Sequence, residues 1–147
     1  MKLTDVLRGE HGAFHALLDE IEEMASFAGE VAQIESAMTV LTTEVKSHAA
    51  LEEKLLFPAL EPHVETAELF AEMHADHEQI RLGLERIEDA RDLNEALEAV
   101  RQTLGIARKH FKNEEERLYA LAEEVLDDDM LNQLGEAWAT ARSVKSG

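Results

Sequence analysis

The sequence predicts an all-α protein, an up-down-up-down four-helix bundle with a short fifth helix toward the C-terminus. Ala, Leu and Glu dominate its 147 residues and Gly and Pro number only 7 and 2, which favours helix throughout. Apolar residues recur at steps of three and four in four long segments, the spacing of helices with one buried face. The first and third segments resemble each other, as do the second and fourth, so the chain reads as two similar hairpins. We therefore expect one domain over 1–147, with the bundle at about 3–122 and the last helix at about 127–144.

The first predicted helix begins at Thr4, a capping residue type, and runs to about Gly29, a type that commonly follows helices. Its apolar positions form one stripe: Leu7, Phe14, Leu18, Ile21 and Ala25. The stripe has one gap, and His11 fills it. A histidine therefore stands where a core residue belongs.

The second predicted helix runs from about Val31 to Phe57. Pro58 and Pro62 should end it, because proline lacks an N–H and clashes with the preceding turn. Its stripe contains two polar members among apolar ones: Ile34, Met38, Leu41, Val45, His48, Glu52 and Leu55. The polar pair occupies core positions of this helix.

The third and fourth predicted helices repeat this arrangement. Thr66 can cap the third, which runs to about Ala90 with the stripe Phe70, Met73, His77, Ile80, Leu84 and Ile87. Asp92 and Glu95 form a capping box for the fourth. The fourth stripe is Leu97, Val100, Leu104, Ala107, His110, Glu114, Leu118 and Leu121. A fifth helix from Asp127–Asp129 to about Val144 should pack across or along the bundle through Met130, Leu131, Leu134 and Trp138.

Composition excludes several classes of function. Asp and Glu number 32 against 14 Lys and Arg, a formal charge of −18, which argues against nucleic acid and anionic membrane partners. The sequence has no Cys, which excludes disulfides, Fe–S clusters and thiolate zinc sites. There is no long apolar run and no signal-peptide pattern at the N-terminus. We expect a cytoplasmic protein, monomeric or homodimeric.

A repeated polar pair indicates a metal site. His48-Ala-Ala-Leu-Glu52 recurs as His110-Phe-Lys-Asn-Glu114, and residues at i and i+4 share one helix face. Burying uncompensated carboxylates costs several kcal/mol, and a bound cation would offset that cost. Imidazole with carboxylate suits iron, manganese or zinc, whereas calcium and magnesium prefer oxygen ligands.

Further candidates share these faces. His11 and His77 are expected ligands as members of the set, and His74 lies three residues before His77 on the same face. His15, one turn after His11, is either a pocket residue or an alternative ligand. The phenol of Tyr119 could hydrogen-bond a ligand carboxylate or line the pocket. We expect Glu53, Glu115 and His63 to lie outside the site.

This combination resembles the hemerythrin-like, or HHE cation-binding, family over about residues 3–122. The motifs that carry the resemblance are His11, His48-x3-Glu52-Glu53-x3-Phe57-Pro58, Asp76-His77 and His110-x3-Glu114-Glu115. The resemblance implies a non-haem centre of two oxo- or hydroxo-bridged iron ions, with zinc or manganese as substitutes. The implied ligands are His11, His48, Glu52, His74, His77, His110 and Glu114.

Two details refine the comparison with known bundles. His74 and His77 are three residues apart, whereas oxygen-carrying hemerythrins space this pair by four, so the match favours the bacterial and regulatory branch. Ferritin-like di-iron bundles use Glu-x-x-His pairs. No His in this sequence has a Glu three residues before it, so that class is disfavoured.

The number of ligands bears on function. Two six-coordinate irons offer about twelve positions, and two bridging carboxylates, an oxo bridge and five His leave one open. We therefore expect a protein that binds or senses O2, NO or a related ligand such as peroxide or azide, more than a catalyst. If His15 also binds metal, the centre is saturated. The alternatives are an enzyme acting on peroxide or NO, an iron storage or homeostasis protein, and a metal-free or zinc-filled interaction module.

Overall fold

The computed structural model of the chain describes residues 1–26, 31–63 and 65–146, with side chains through residue 143. Its helices are α1 Leu3–Ser26, α2 Val31–Leu51, α3 Phe57–Leu60, α4 Ala67–Glu88, α5 Leu93–Asn113, α6 Ala120–Val125 and α7 Asp128–Ser146. Two π-helical segments join these helices, π1 at Glu52–Leu56 and π2 at Glu114–Tyr119. No strand occurs within the described ranges, which confirms the all-α class. The predicted first-helix end at Gly29 lies outside the described residues.

The long helices form a helical bundle. Helix α1 packs against α2 and α5, and α4 packs against the same two helices. Each long helix therefore has two neighbours around a common core, while the up-and-down order of the helices stays a prediction. Among the described residues, no helix has both the length and the apolar character needed to cross a bilayer.

The core consists of two apolar clusters. One contains Phe14, Val45, Ile80 and Phe111, and the other contains Leu7, Leu56, Met73 and Leu118. Along each long helix, the histidine of the predicted stripe lies between residues of the first apolar cluster and residues of the second. The histidines therefore share one level of the bundle, between two hydrophobic layers.

The prediction that Pro58 ends the second helix is wrong. Helical structure continues through π1 into α3 and reaches Leu60, with Pro58 in the first turn of α3. The N–H of Phe57 donates to the carbonyl of Glu52, five residues back. A π turn is wider than an α turn, so the proline ring avoids the usual clash with the preceding turn.

Both π segments also shift the apolar stripes. Leu56 is buried and Leu55 only partly buried, and Ala122 is buried whereas Leu121 is partly buried. The predicted core positions Leu55 and Leu121 are therefore each displaced by one residue. A π turn accommodates an additional residue, so the residue after the expected one faces the core.

Caps differ between helices. The carboxylate of Asp92 accepts from the Glu95 N–H at 2.8 Å, and the Glu95 carboxylate accepts from the Arg91 N–H at 2.9 Å, so the predicted cap of α5 forms. Thr66 precedes α4 without a side-chain cap bond. Thr4 lies inside α1 and its hydroxyl donates to Glu123 at 3.0 Å, because α1 begins one residue before the expected cap.

Helix α7 lies along α1 and contacts π1. Asp127 caps it by accepting from the Met130 N–H at 2.8 Å. Leu131 is buried, Leu134 and Trp138 are partly buried against the second apolar cluster, and Met130 is exposed. The last helix thus packs along one side of the bundle, against α1 and π1.

Candidate metal centre

A group of polar side chains is buried at the level where the two apolar clusters meet. The members at most 1 % exposed are His11, His48, Glu52, His110 and Glu114. All five were predicted from the interrupted stripes. They come from α1, α2, π1, α5 and π2, so several elements bring them together.

One carboxylate oxygen lies at the centre of this group. Glu114 Oε1 is 2.9 Å from His11 Nε2, 3.3 Å from His110 Nε2 and 3.6 Å from His48 Nε2. The Nε2 atoms of His11 and His48 are themselves 3.1 Å apart. Three imidazoles from different helices thus direct the same nitrogen toward one oxygen.

Glu52 is held by a phenol. The Tyr119 hydroxyl donates to Glu52 Oε2 at 2.7 Å and lies 3.1 Å from the Nε2 atoms of both His11 and His48. Tyr119 is fully buried. It therefore belongs to the cluster, and it bonds the carboxylate of the other repeat rather than Glu114, which is nearer in sequence.

His77 completes the cluster on the α4 side. The centres of the His77 and His110 rings are 4.5 Å apart, and their planes meet at 72°. The Nε2 atom of His77 is buried without a hydrogen bond. The cluster contains two sets of potential ligands, and within each set the ligand atoms lie within 4.8 Å of one another. One set is His11, His48 and Glu114, and the other is His77, His110 and Glu114. The two sets share Glu114.

Carboxylates orient two of these histidines. His48 Nδ1 lies 2.8 Å from Glu10 Oε1, and His110 Nδ1 lies 3.0 Å from Asp76 Oδ2. An Nδ1–H that donates to a carboxylate leaves Nε2 as a lone-pair donor toward a metal. Sequence reasoning missed both roles. The available signal was position, because each carboxylate immediately precedes a stripe histidine, His11 or His77.

The two buried carboxyls have opposite pKa shifts. Burial, reinforced by the charge of Glu114, raises the pKa of Glu52 to about 8. Burial also acts to raise the pKa of Glu114, but the imidazoles of His11, His110 and His48 around its carboxylate outweigh burial and hold that pKa well below its usual range. Without a cation, one carboxyl therefore stays neutral near pH 7 while the other is charged.

The histidines differ in the same way. Burial lowers the pKa of His11, and burial together with the neighbouring His110 lowers the pKa of His77 to about 4. Burial opposes protonation of His48 and His110 as well. The neighbouring carboxyl groups of Glu52 and Glu10 nevertheless raise the pKa of His48, and the Glu114 carboxylate, 3.3 Å from His110 Nε2, raises that of His110.

Unpaired polar atoms show that a cation fits this donor set. Five buried atoms of the cluster make no hydrogen bond: His11 Nδ1, Glu52 Oε1, Glu114 Oε2, His77 Nε2 and His110 Nε2. Buried polar atoms normally have partners, and carboxylate oxygens and neutral imidazoles both offer lone pairs to a metal ion. Nitrogen and carboxylate oxygen together match first-row metals such as iron.

The remaining predicted residues lie at the edge of the site. His74 is 55 % exposed, its Nδ1 is 3.0 Å from the Glu53 carboxylate, and these two form a further potential ligand set with His77. His15 is partly buried, edge-on to the Phe111 ring, and among the described residues it joins no such set. His63 is exposed. Metal binding by His74 and His15 stays a prediction.

The comparison with known families agrees with this geometry. The family model for the hemerythrin HHE cation binding domain matches residues 2–122. Neither a curated protein nor a solved structure matches the chain. The match spans most of the sequence and includes every residue of the buried cluster. This chain therefore belongs to the hemerythrin HHE family and is a cation-binding protein.

Proposed function

We propose that this protein holds two iron ions and reversibly binds or senses O2, NO or a related small ligand there. One observation carries the proposal, namely that two sets of potential ligand atoms share Glu114. A shared carboxylate is the feature expected when two ions lie side by side. A single ion would need only one of the two sets.

The residues divide naturally between two ions. His11 and His48 would hold one ion and His77 and His110 the other, with Glu114 between them. Glu52, whose Oε1 has no hydrogen-bond partner, is the second candidate bridge. When bound, iron supplies a change of oxidation state and coordination positions for a small ligand.

The surroundings favour ligand binding over turnover. The centres of the Phe111 and His11 rings are 4.7 Å apart. The Phe14 ring lies edge-on to the His48 ring, with their centres 5.3 Å apart. An apolar, water-poor pocket limits proton delivery. These rings exclude water from the α1 side of the cluster, which protects a reversibly bound ligand from side reactions.

The test is metal analysis followed by an azide titration of the oxidised protein. We expect two irons per chain and a new visible absorption band as azide binds. A protein with no more than one iron per chain, or with two irons and no azide band, would contradict the proposal. His63→Ala, which removes an exposed histidine, should give the wild-type iron content and the wild-type azide band.

A second candidate is an enzyme that consumes peroxide or NO, and Tyr119 is the observation that favours it. Its hydroxyl is buried beside Glu52, His11 and His48, and burial raises its pKa, so it can hold a proton at the cluster. Oxygen release after peroxide addition would support this candidate. Loss of that release in Tyr119→Phe, with both irons retained, would assign the proton to the phenol.

A further inference from the structure

A cavity connects solvent with the α4 side of the buried cluster. It has a volume of about 550 Å³ and lies between α2 and α4. Val45, Ala49 and Ile80 line it together with His77, and the exposed residues Glu53 and His74 lie on its wall. His77 can therefore be reached from the surface without opening the hydrophobic core.

An exposed pair of potential ligands lies at this cavity. His74 Nδ1 and Glu53 Oε1 are 3.0 Å apart, with their side chains 55 % and 42 % exposed. Together with His77 they form a set whose ligand atoms lie within 4.8 Å of one another. His77 also belongs to the buried set with His110 and Glu114. One imidazole is thus common to an exposed set and a buried set.

The chemistry of the exposed set suits a divalent metal ion. Two imidazoles and one carboxylate are a ligand combination that binds ferrous iron with positions left open. The exposed side chains can take an ion that keeps part of its water shell, which spares the full desolvation cost of direct burial. The nearby charge of Arg81 is offset by ion pairs with Glu78 and Glu85.

We propose that Glu53, His74 and His77 form a loading site that captures ferrous iron at the cavity and passes it inward through His77. Glu53 and His74 speed the uptake of iron and are not ligands of the filled centre. The inference rests on the proposed di-iron function, since it supplies the route by which that centre fills.

The test measures the rate and the extent of iron uptake separately. Metal-free protein is mixed with ferrous iron without oxygen, and the iron retained after rapid gel filtration is counted over time. We expect His74→Ala and Glu53→Gln to load roughly tenfold more slowly, the scale on which a supporting group changes metal affinity. Both should reach the wild-type iron content and the wild-type spectrum after oxidation.

Two controls match these variants. Glu78→Gln makes the same charge change on the same cavity wall while Glu85 still pairs with Arg81, and His63→Ala removes an exposed histidine elsewhere. Both should load at the wild-type rate. All four substitutions are at exposed side chains, so the fold does not depend on them.

Three results would overturn the loading site while leaving the di-iron proposal intact. His74→Ala and Glu53→Gln could load at the wild-type rate, or His74→Ala could end with less iron, which would make His74 a resident ligand. If Glu78→Gln slowed iron uptake as much as Glu53→Gln, the effect would come from the loss of negative charge at the cavity and not from a ligand. A wild-type protein that takes up no iron would instead overturn the di-iron proposal itself.

Discussion

The two halves of this molecule, α1 to π1 and α4 to π2, hold their histidines by the same local contacts but differ in the residues around those contacts. In each half, a carboxylate on one helix holds the Nδ1 atom of a histidine on the next, Glu10 with His48 and Asp76 with His110. In each half, the glutamate one turn beyond that histidine begins a π segment. π turns often occur at functional sites, and here they occur at both candidate bridging carboxylates.

The halves differ in what holds the orienting carboxylate. Glu10 is 16 % exposed, and its carboxylate also accepts a hydrogen bond from the Arg142 guanidinium of α7 at 2.5 Å. The same guanidinium donates to the Ser47 hydroxyl at 2.6 Å. Asp76 is 27 % exposed, and among the described residues no cation of α7 reaches it. The duplicated pattern thus produces two similar sets of potential ligands, and the last helix makes them inequivalent.

The largest effect should come from the residue that both halves share. Glu114→Gln should lower the iron content from two per chain toward one or none, because the amide is a weaker ligand and the carboxylate serves both ion positions. The increase in melting temperature on adding iron should shrink with it. Metal analysis and thermal unfolding with and without iron measure both. An iron content equal to that of His63→Ala would refute the shared role.

A matched pair of variants tests the two halves against each other. Glu10→Ala and Asp76→Ala should each weaken iron affinity roughly 10- to 100-fold, the range for groups that orient metal-binding histidines. Glu10→Ala should have the larger effect because its bond to His48 is less exposed. Chelator competition measures both affinities. A larger effect of Asp76→Ala would reverse the assigned order.

The stability of the metal-free protein should fall as pH rises from about 6.5 to about 8, because below pH 6.5 the lowered pKa values of His11 and His77 offset the effect of Glu52. Across this range the unfolded chain has released the Glu52 proton while the folded chain still holds it, because the folded pKa is raised from 4.5 to about 8. The folded state binds more protons, so raising pH disfavours it. The raised pKa of His48 acts in the same direction above pH 6.5.

Urea unfolding at several pH values measures this loss, which we expect to be on the order of a few kcal/mol. Glu52→Gln should flatten the profile, and iron should abolish it by binding the carboxylate. A metal-free protein that gains stability over the same range would contradict the assignment of the raised pKa to Glu52.

The smallest effect should come from the support that only the first half has. Arg142→Gln should weaken iron affinity by less than about tenfold, below the range for direct orienting partners, because the bond from Glu10 to His48 remains. An effect as large as that of Glu10→Ala would show that Arg142 sets the position of that carboxylate.

Much of the site was predictable from residue spacing. His11, His48, Glu52, His110 and Glu114 interrupt apolar stripes, and burial in a helical bundle follows directly from that position. The π segments were not predictable, because an apolar stripe shows the average spacing of a helix and not the one turn that holds an additional residue. Uniform α spacing therefore places Leu55 and Leu121 in the core, and it predicts that Pro58 ends a helix that in fact continues.

The partnerships between side chains required the packed structure. Glu10 and Asp76 were visible beside His11 and His77, but each acts on a histidine of the neighbouring helix. Spacing within one helix shows which residues share a face and carries no information about the facing helix.

The amino-acid sequence alone determined the helices, the family and the burial of imidazoles and carboxylates at one level, because local periodicity and hydrophobicity act along the chain. Only the tertiary structure decided that Tyr119 bonds Glu52, that Arg142 supports Glu10, and that His77 belongs to both an exposed and a buried set of potential ligands. These contacts depend on how helices distant in sequence pack together, which sets distances that no local pattern encodes.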